Sequence, residues 1–129
     1  MTGVFKSINQ RVMKKQVLMI SLFLFSSMAL FSQNKNQTAV VEVDGICMMC
    51  KDRIEKAAIK NKGVKSAIWD VNSHQLSLVY DERKITLDEI EKSVANVGHD
   101  TENHEATAEV YENLHPCCKY RDEEVINQH

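Results

Sequence analysis

Cys47 and Cys50 lie two residues apart in DGICMMCKD, Asp44 to Asp52. Thiols at this spacing clamp a soft metal ion, cycle between dithiol and disulfide, or sit inert as small hydrophobes. The run after them is helix-like. Both sulfurs therefore fall at a helix N-terminus, where the backbone favours a thiolate as it does any anion. Two thiolates alone suit a two-coordinate ion such as Cu(I), whereas zinc wants four ligands and needs help. Further donors stand in the tail, where HPCCKY supplies His115, Cys117 and Cys118 in one short stretch. His99, directly after Gly98, is another candidate ligand. Met48 and Met49, between the cysteines, carry soft thioethers but are read as flexible packing side chains rather than ligands. Four cysteines permit three disulfide pairings, yet both pairs are spaced too tightly for an ordinary staple. The chain has no His-Glu-x-x-His pattern and no glycine-rich phosphate loop, so nothing supports a hydrolase or a nucleotide enzyme.

These donors need elements to hold them. AVVEVD, Ala39 to Asp44, alternates and reads as a first strand, punctuated by Gly45. A helix starts near Cys50, with Asp52 in its first turn and Ile54, Ala57 and Ala58 on one face. Gly63 is its natural left-handed stop. VKSAIWDV, Val64 to Val71, and QLSLVY, Gln75 to Tyr80, pair as a hairpin through Asn72, Ser73 and His74. Thr86 and Glu89 form a capping box for a second helix, whose stripe is Leu87, Ile90, Val94 and Val97. The order β-α-β-β-α calls for a short last strand near His99 to Glu102, although HDTE is polar and writes it weakly. The fold class is α+β, a ferredoxin-like β-α-β-β-α-β sandwich with a short C-terminal helical extension. In that topology the loop after the first strand and the loop before the last share one end of the sheet, beside Cys47. The extension runs through EATAEVYENL, Glu105 to Leu114, with Ala106, Val110 and Leu114 on one side and Pro116 as its stop.

The ends bound where the protein works. Residues 1–16 carry Lys6, Arg11, Lys14 and Lys15 and no acid, and Val17 to Phe31 is a run of 15 residues without a charge. That run is short for a membrane span, which needs about 20 residues. A basic start, an apolar stretch and a small-residue exit describe a secretory signal. Residues 1–32 are thus expected to be cleaved after Ser32, giving a soluble product in the periplasm or outside the cell. All 18 acidic residues then remain, against 12 Lys and Arg, for a net charge of about −6. This excludes nucleic acid as a natural partner, since it is bound chiefly through positive charge.

GICMMCKDRIE, Gly45 to Glu55, which runs G-x-C-x-x-C-x-x-x-I-E, resembles the heavy-metal-associated domain. The resemblance continues through GVKSAIWDV, LVYDERKITLDEI and the glycine after the second helix. The family includes copper chaperones, the periplasmic mercury-binding protein and the metal-binding modules of heavy-metal-transporting ATPases. It implies a four-stranded antiparallel sheet and Cys47 and Cys50 as the metal ligands. It also implies a cargo of Cu(I) first, with Zn(II) or Hg(II) as the other choices, and no enzymatic activity. A heavy-metal-transporting ATPase or another exporter is the implied partner, for a monomer or weak dimer. Two departures stand out. Gly45 to Cys47 is one residue shorter than the common spacing, with Ile46 where a buried methionine is usual. His99 stands near the place where cytosolic chaperones of the family tend to carry a lysine that offsets the charge of a bis-thiolate site.

The organisation expected is a signal over 1–32, a linker over 33–37, a heavy-metal-associated domain over 38–102 and a helical extension over 103–129. The function expected is binding and transfer of a soft heavy-metal ion outside the cytoplasm. Thiol–disulfide exchange is the alternative from another class, although no tryptophan precedes Cys47 as in thioredoxin-like sites. A structural or adaptor module with stabilising cysteines is the third.

Overall fold

The computed structural model describes residues 35–129, so the expected signal lies outside the described residues. The elements are β1 (Asn36–Glu42), α1 (Met48–Ile59), β2 (Val64–Trp69), β3 (Gln75–Asp81) and α2 (Leu87–Ala95). After them come α3 (Ala108–Glu112), a 3-10 turn over Pro116–Cys118, and α4 (Glu123–Ile126). β3 lies between β1 and β2 and is antiparallel to both. Val41, Trp69, Leu76, Leu78 and Tyr80 point to one face of this sheet and are buried with Ile54, Ala57 and Ala58 of α1 and Ile90 and Val94 of α2. The period-2 and helical patterns meet in one core, which is what makes this a ferredoxin-like α+β sandwich.

Several boundaries differ from the sequence reading, each for a local reason. β1 opens at Asn36, inside the stretch read as linker, because Asn36 and Gln37 pair with Asp81 and Tyr80 of a full-length β3. α1 starts at Met48 rather than Cys50, so Asp52 falls past its first turn, which holds no acid. The last strand shrinks to one bridge, Val43 with Thr101. Beyond it the backbone turns back at once: the Thr101 amide donates to the His104 carbonyl at 2.8 Å, and Asn103 folds onto the buried Glu91 carboxylate. The capping box stands as read, with Thr86 and Glu89 exchanging hydrogen bonds.

The extension is not an appendage. Tyr111, Leu114, Cys118 and Tyr120 enter the same core as the sheet. Its helix is only Ala108–Glu112, shorter than expected, because Thr107 caps it and Ala106 is held elsewhere. The Ala106 amide donates to Asp100 at 2.7 Å, and its carbonyl accepts from Arg121 at 3.0 Å. Arg121 also grips Asp100 and lies over the Tyr111 ring. The Tyr120 hydroxyl donates to the Gly98 carbonyl at 2.8 Å and accepts from the Asp100 amide at 2.9 Å. Leu114 packs directly on Gly98, where a Cβ would meet its Cδ2 at 2.7 Å. The turn after α2 is thus the anchor for the tail.

Candidate metal centre

The site begins with the way Cys47 and Cys50 are held. Gly45 lets the backbone pass against Cys50 and Trp69; a Cβ there would lie 3.0 Å from the Cys50 Cβ and 3.1 Å from the indole. The indole N–H donates to the Val43 carbonyl at 3.0 Å, and His99 Nδ1 donates to the Asp44 carbonyl at 2.8 Å. These two bonds fix the loop that leads into Cys47. On the other side Glu55 accepts from the Trp69 amide and from Lys51, tying α1 to the end of β2. The Ile-Glu of the motif therefore has a mechanical role: Ile54 is wholly buried and Glu55 clasps the neighbouring strand.

Cys47 is the N-cap residue of α1 and Cys50 closes its first turn, buried completely. Their sulfurs are 3.3 Å apart. The 3-10 turn over Pro116–Cys118 then brings Cys118, also fully buried, to 3.6 Å from Cys47. The sulfurs of Cys47, Cys50 and Cys118 all lie within 4.8 Å of one another, and all four cysteines are free thiols. Cys117 sits at the margin, 4.0 Å from Cys47 and 3.9 Å from Cys118. A metal–sulfur bond of about 2.3 Å puts two ligands of one ion roughly 3.8 Å apart in a tetrahedral site and roughly 4.0 Å in a trigonal one. The Cys47 sulfur, at 3.3 Å and 3.6 Å from its two neighbours, reaches such spacings by moving less than about 1 Å.

The electrostatics are uneven. Burial pushes the Cys47 thiol up, but the Cys50 amide and thiol, the Cys118 thiol and the Met49 amide together bring it below an ordinary cysteine. Burial pushes Cys50 up, and pushes Cys117 and Cys118 up to about 11. Cys47 is thus the sulfur most ready to meet a cation first. Burial at Cys118 is opposed by the Arg53 side chain. Arg53, three residues after Cys50 on α1, has one guanidinium nitrogen, Nη1, buried with no hydrogen-bond partner among the described residues. Arg53 is thus the cation whose side chain acts on the Cys118 thiol. Only its spacing from Cys50, nearly one helical turn, could have pointed to it from the sequence.

His99, read as a candidate ligand, is not brought to the cluster. Its ring is fully buried and stacked on Tyr120 at 5.5 Å. Nδ1 is spent on the Asp44 carbonyl, and the buried Nε2 has no hydrogen-bond partner among the described residues. Burial lowers its pKa to about 4, so it is neutral. Its bond to the Asp44 carbonyl holds the loop before Cys47. His115 stays at the surface, with Nδ1 3.1 Å from the Cys117 sulfur.

A split β-α-β sandwich with a thiol cluster at its first strand–helix junction defines a heavy-metal-associated domain. Residues 40–100 match the model of that family, the heavy-metal-associated domain, and the chain belongs to it. It is 31% identical over 62 residues to the copper chaperone CopZ of Staphylococcus haemolyticus, an alignment covering 47% of this chain and 91% of that protein. The CopZ of Staphylococcus epidermidis is 26% identical over the same shares. Among solved structures, oxidised MerP from Ralstonia metallidurans CH34 is 25% identical, with a TM-score of 0.50, over 52% of this chain and 94% of that one. Family and site together define a metal-binding domain rather than an enzyme. Cys117 and Cys118 lie beyond the matched residues 40–100.

Proposed function

We propose that this protein carries Cu(I) as cargo and passes it on by thiolate exchange, outside the cytoplasm. Cys47, Cys50 and Cys118 are the ligands. The observation that carries this reading is the meeting of three sulfurs from two distant parts of the chain within 4.8 Å. Soft thiolates select Cu(I) ahead of harder cations, and a three-sulfur set leaves zinc one ligand short. The likeness to proteins named copper chaperones points the same way. In transfer, a partner's thiolates bond to the ion one after another, the bonds to Cys47, then Cys118 and Cys50, break in exchange, and each freed sulfur takes up a proton. Copper stays monovalent throughout. Cys47, half-buried and with the lowered pKa, is the sulfur a partner reaches and releases. The receiving protein offers a similar dithiol loop, and a heavy-metal-transporting ATPase or another exporter fits that need. The basic and apolar leader supports export, with residues 33–37 as the lead-in to the domain and 103–129 as the part that supplies Cys118.

Titration under a phosphine reductant, with a chromophoric Cu(I) chelator in competition, tests the reading. The wild type is expected to bind tightly, and Cys118→Ser to bind at least tenfold more weakly while the Cys47→Ser/Cys50→Ser pair loses the ion. A wild type that leaves all Cu(I) with a micromolar chelator sinks the proposal. Thiol–disulfide exchange rests on one observation, the 3.3 Å separation of the Cys47 and Cys50 sulfurs. Turnover of an unrelated disulfide substrate by the metal-free dithiol would favour it instead.

A further inference from the structure

The three-sulfur cluster leaves one cysteine over, and that cysteine has its own company. Cys117 stands 3.1 Å from His115 Nδ1 and 3.6 Å from the thioether sulfur of Met49. Its neighbours on the inner side are Cys47 at 4.0 Å and Cys118 at 3.9 Å. The backbone amide of Cys117 donates to His115 Nδ1 at 3.4 Å, a long bond that keeps this edge of the ring turned to the cysteine. Pro116 opens the 3-10 turn and holds His115 and Cys117 in this relation. Met49, which a core would normally absorb, is 46% exposed at the start of α1. An imidazole, a thiol and a thioether from two separate segments therefore converge at the surface, edge to edge with the buried sulfurs.

We infer that Met49, His115 and Cys117 form a second, outer site for Cu(I), from which the ion steps inward to Cys47, Cys50 and Cys118. The inference rests on the inner cluster holding Cu(I). The donor types decide the ion. Thioether and thiolate are soft ligands that select Cu(I), and imidazole is accepted by it. The positions decide the role. Cys50 and Cys118 are wholly buried, so an arriving ion meets the outer donors and the half-buried Cys47 first. At 4.0 Å, Cys47 and Cys117 are close enough for one ion to bond to the first before leaving the second. Each step forms one copper–sulfur bond to the inner cluster and breaks one bond to an outer donor, the imidazole nitrogen of His115 included, with no change of oxidation state. When both sites are filled, Cys47 and Cys117 lie at their shared edge.

The test is Cu(I) stoichiometry of the full chain by native mass spectrometry under a phosphine reductant, with X-ray absorption of the loaded protein. The wild type is expected to take two Cu(I), with a nitrogen ligand appearing only with the second. The Met49→Leu/His115→Ala pair, both at exposed positions, is expected to stop at one all-sulfur Cu(I). His115→Gln alone is expected to remove the nitrogen signal and weaken the second ion at least tenfold. A wild type that stops at one ion overturns the outer site and leaves the inner one standing. A double variant that still takes two, or a second ion without nitrogen, also overturns it. A wild type that takes none overturns both readings.

Discussion

At the scale of single residues, the site depends on small features that carry no thiol. Gly45 is required by space rather than by backbone freedom, since its missing Cβ is what lets Cys50 and Trp69 close on the loop. Gly45→Ala is expected to cost about 1–3 kcal/mol in urea unfolding, the usual range for overpacking a dense core. An unchanged midpoint would show that the loop simply gives way. Arg53 is expected to matter to affinity rather than to folding. Its positive charge opposes the burial that raises the Cys118 thiol, so Arg53→Met should weaken Cu(I) binding. Chelator competition checks this, with Arg53→Lys recovering part of the loss. His99 predicts a pH effect. Its folded pKa of about 4 lies below the ordinary 6.5, so the unfolded chain binds the extra proton first. The stability tied to neutral His99 is complete above about pH 6.5 and is lost as the pH falls towards 4, on the order of 3 kcal/mol in all. Urea midpoints of wild type and His99→Gln, compared across that window, should diverge at neutral pH and converge in acid. Parallel curves would rule the mechanism out.

Secondary elements show where the sequence patterns were strong and where they gave way. The stripe of α2 and the alternation of β3 are read directly, because each side chain's burial follows from helix or strand periodicity alone. α3 is different. Ala106, Val110 and Leu114 form one side in a helical reading; Ala106 and Leu114 are indeed buried, but both lie outside the short helix, where Tyr111 is the buried residue. Polar ties from Asp100 and Arg121 override periodicity there. Burial raises the Asp100 carboxyl, while Arg121 and the Ala106 amide more than offset this and keep it below the ordinary range. Asp100→Asn is therefore expected to loosen the tail without unfolding the sandwich. Hydrogen exchange should quicken over residues 106–121 and stay unchanged in β3. Equal quickening in both would mean that tail and sandwich unfold as one unit.

Over the described molecule, the three clustered thiols come from two ends of a single core. A bound ion would therefore fasten the tail to the sandwich and not merely occupy a loop. A ligand that binds only the folded state stabilises it by about 2.7 kcal/mol at a free concentration a hundred times its Kd. Cu(I) loading is thus expected to raise the melting temperature of the wild type by several degrees and to slow exchange at Cys118 and Tyr120. The same loading of Cys118→Ser should leave exchange in the tail unchanged. Protection confined to Cys47–Cys50 in the wild type would show that the tail takes no part.

The sequence by itself determined the fold class, the strand–helix junction that carries Cys47 and Cys50, and the soft-donor character of the site. Those rest on local spacing: two residues between thiols, alternation in β3, a capping box, a glycine where backbone and side chains must close. The tertiary structure alone decided which distant donors join them. His99 and Cys118 were both candidates in the sequence, and nothing local separated them. His99 lost its place because a carbonyl and a tyrosine ring hold it inside. Cys118 gained one because Tyr120, Arg121 and Leu114 lock the tail against the turn after α2. Such long-range packing depends on the summed shape of several elements, which no single stretch of sequence encodes.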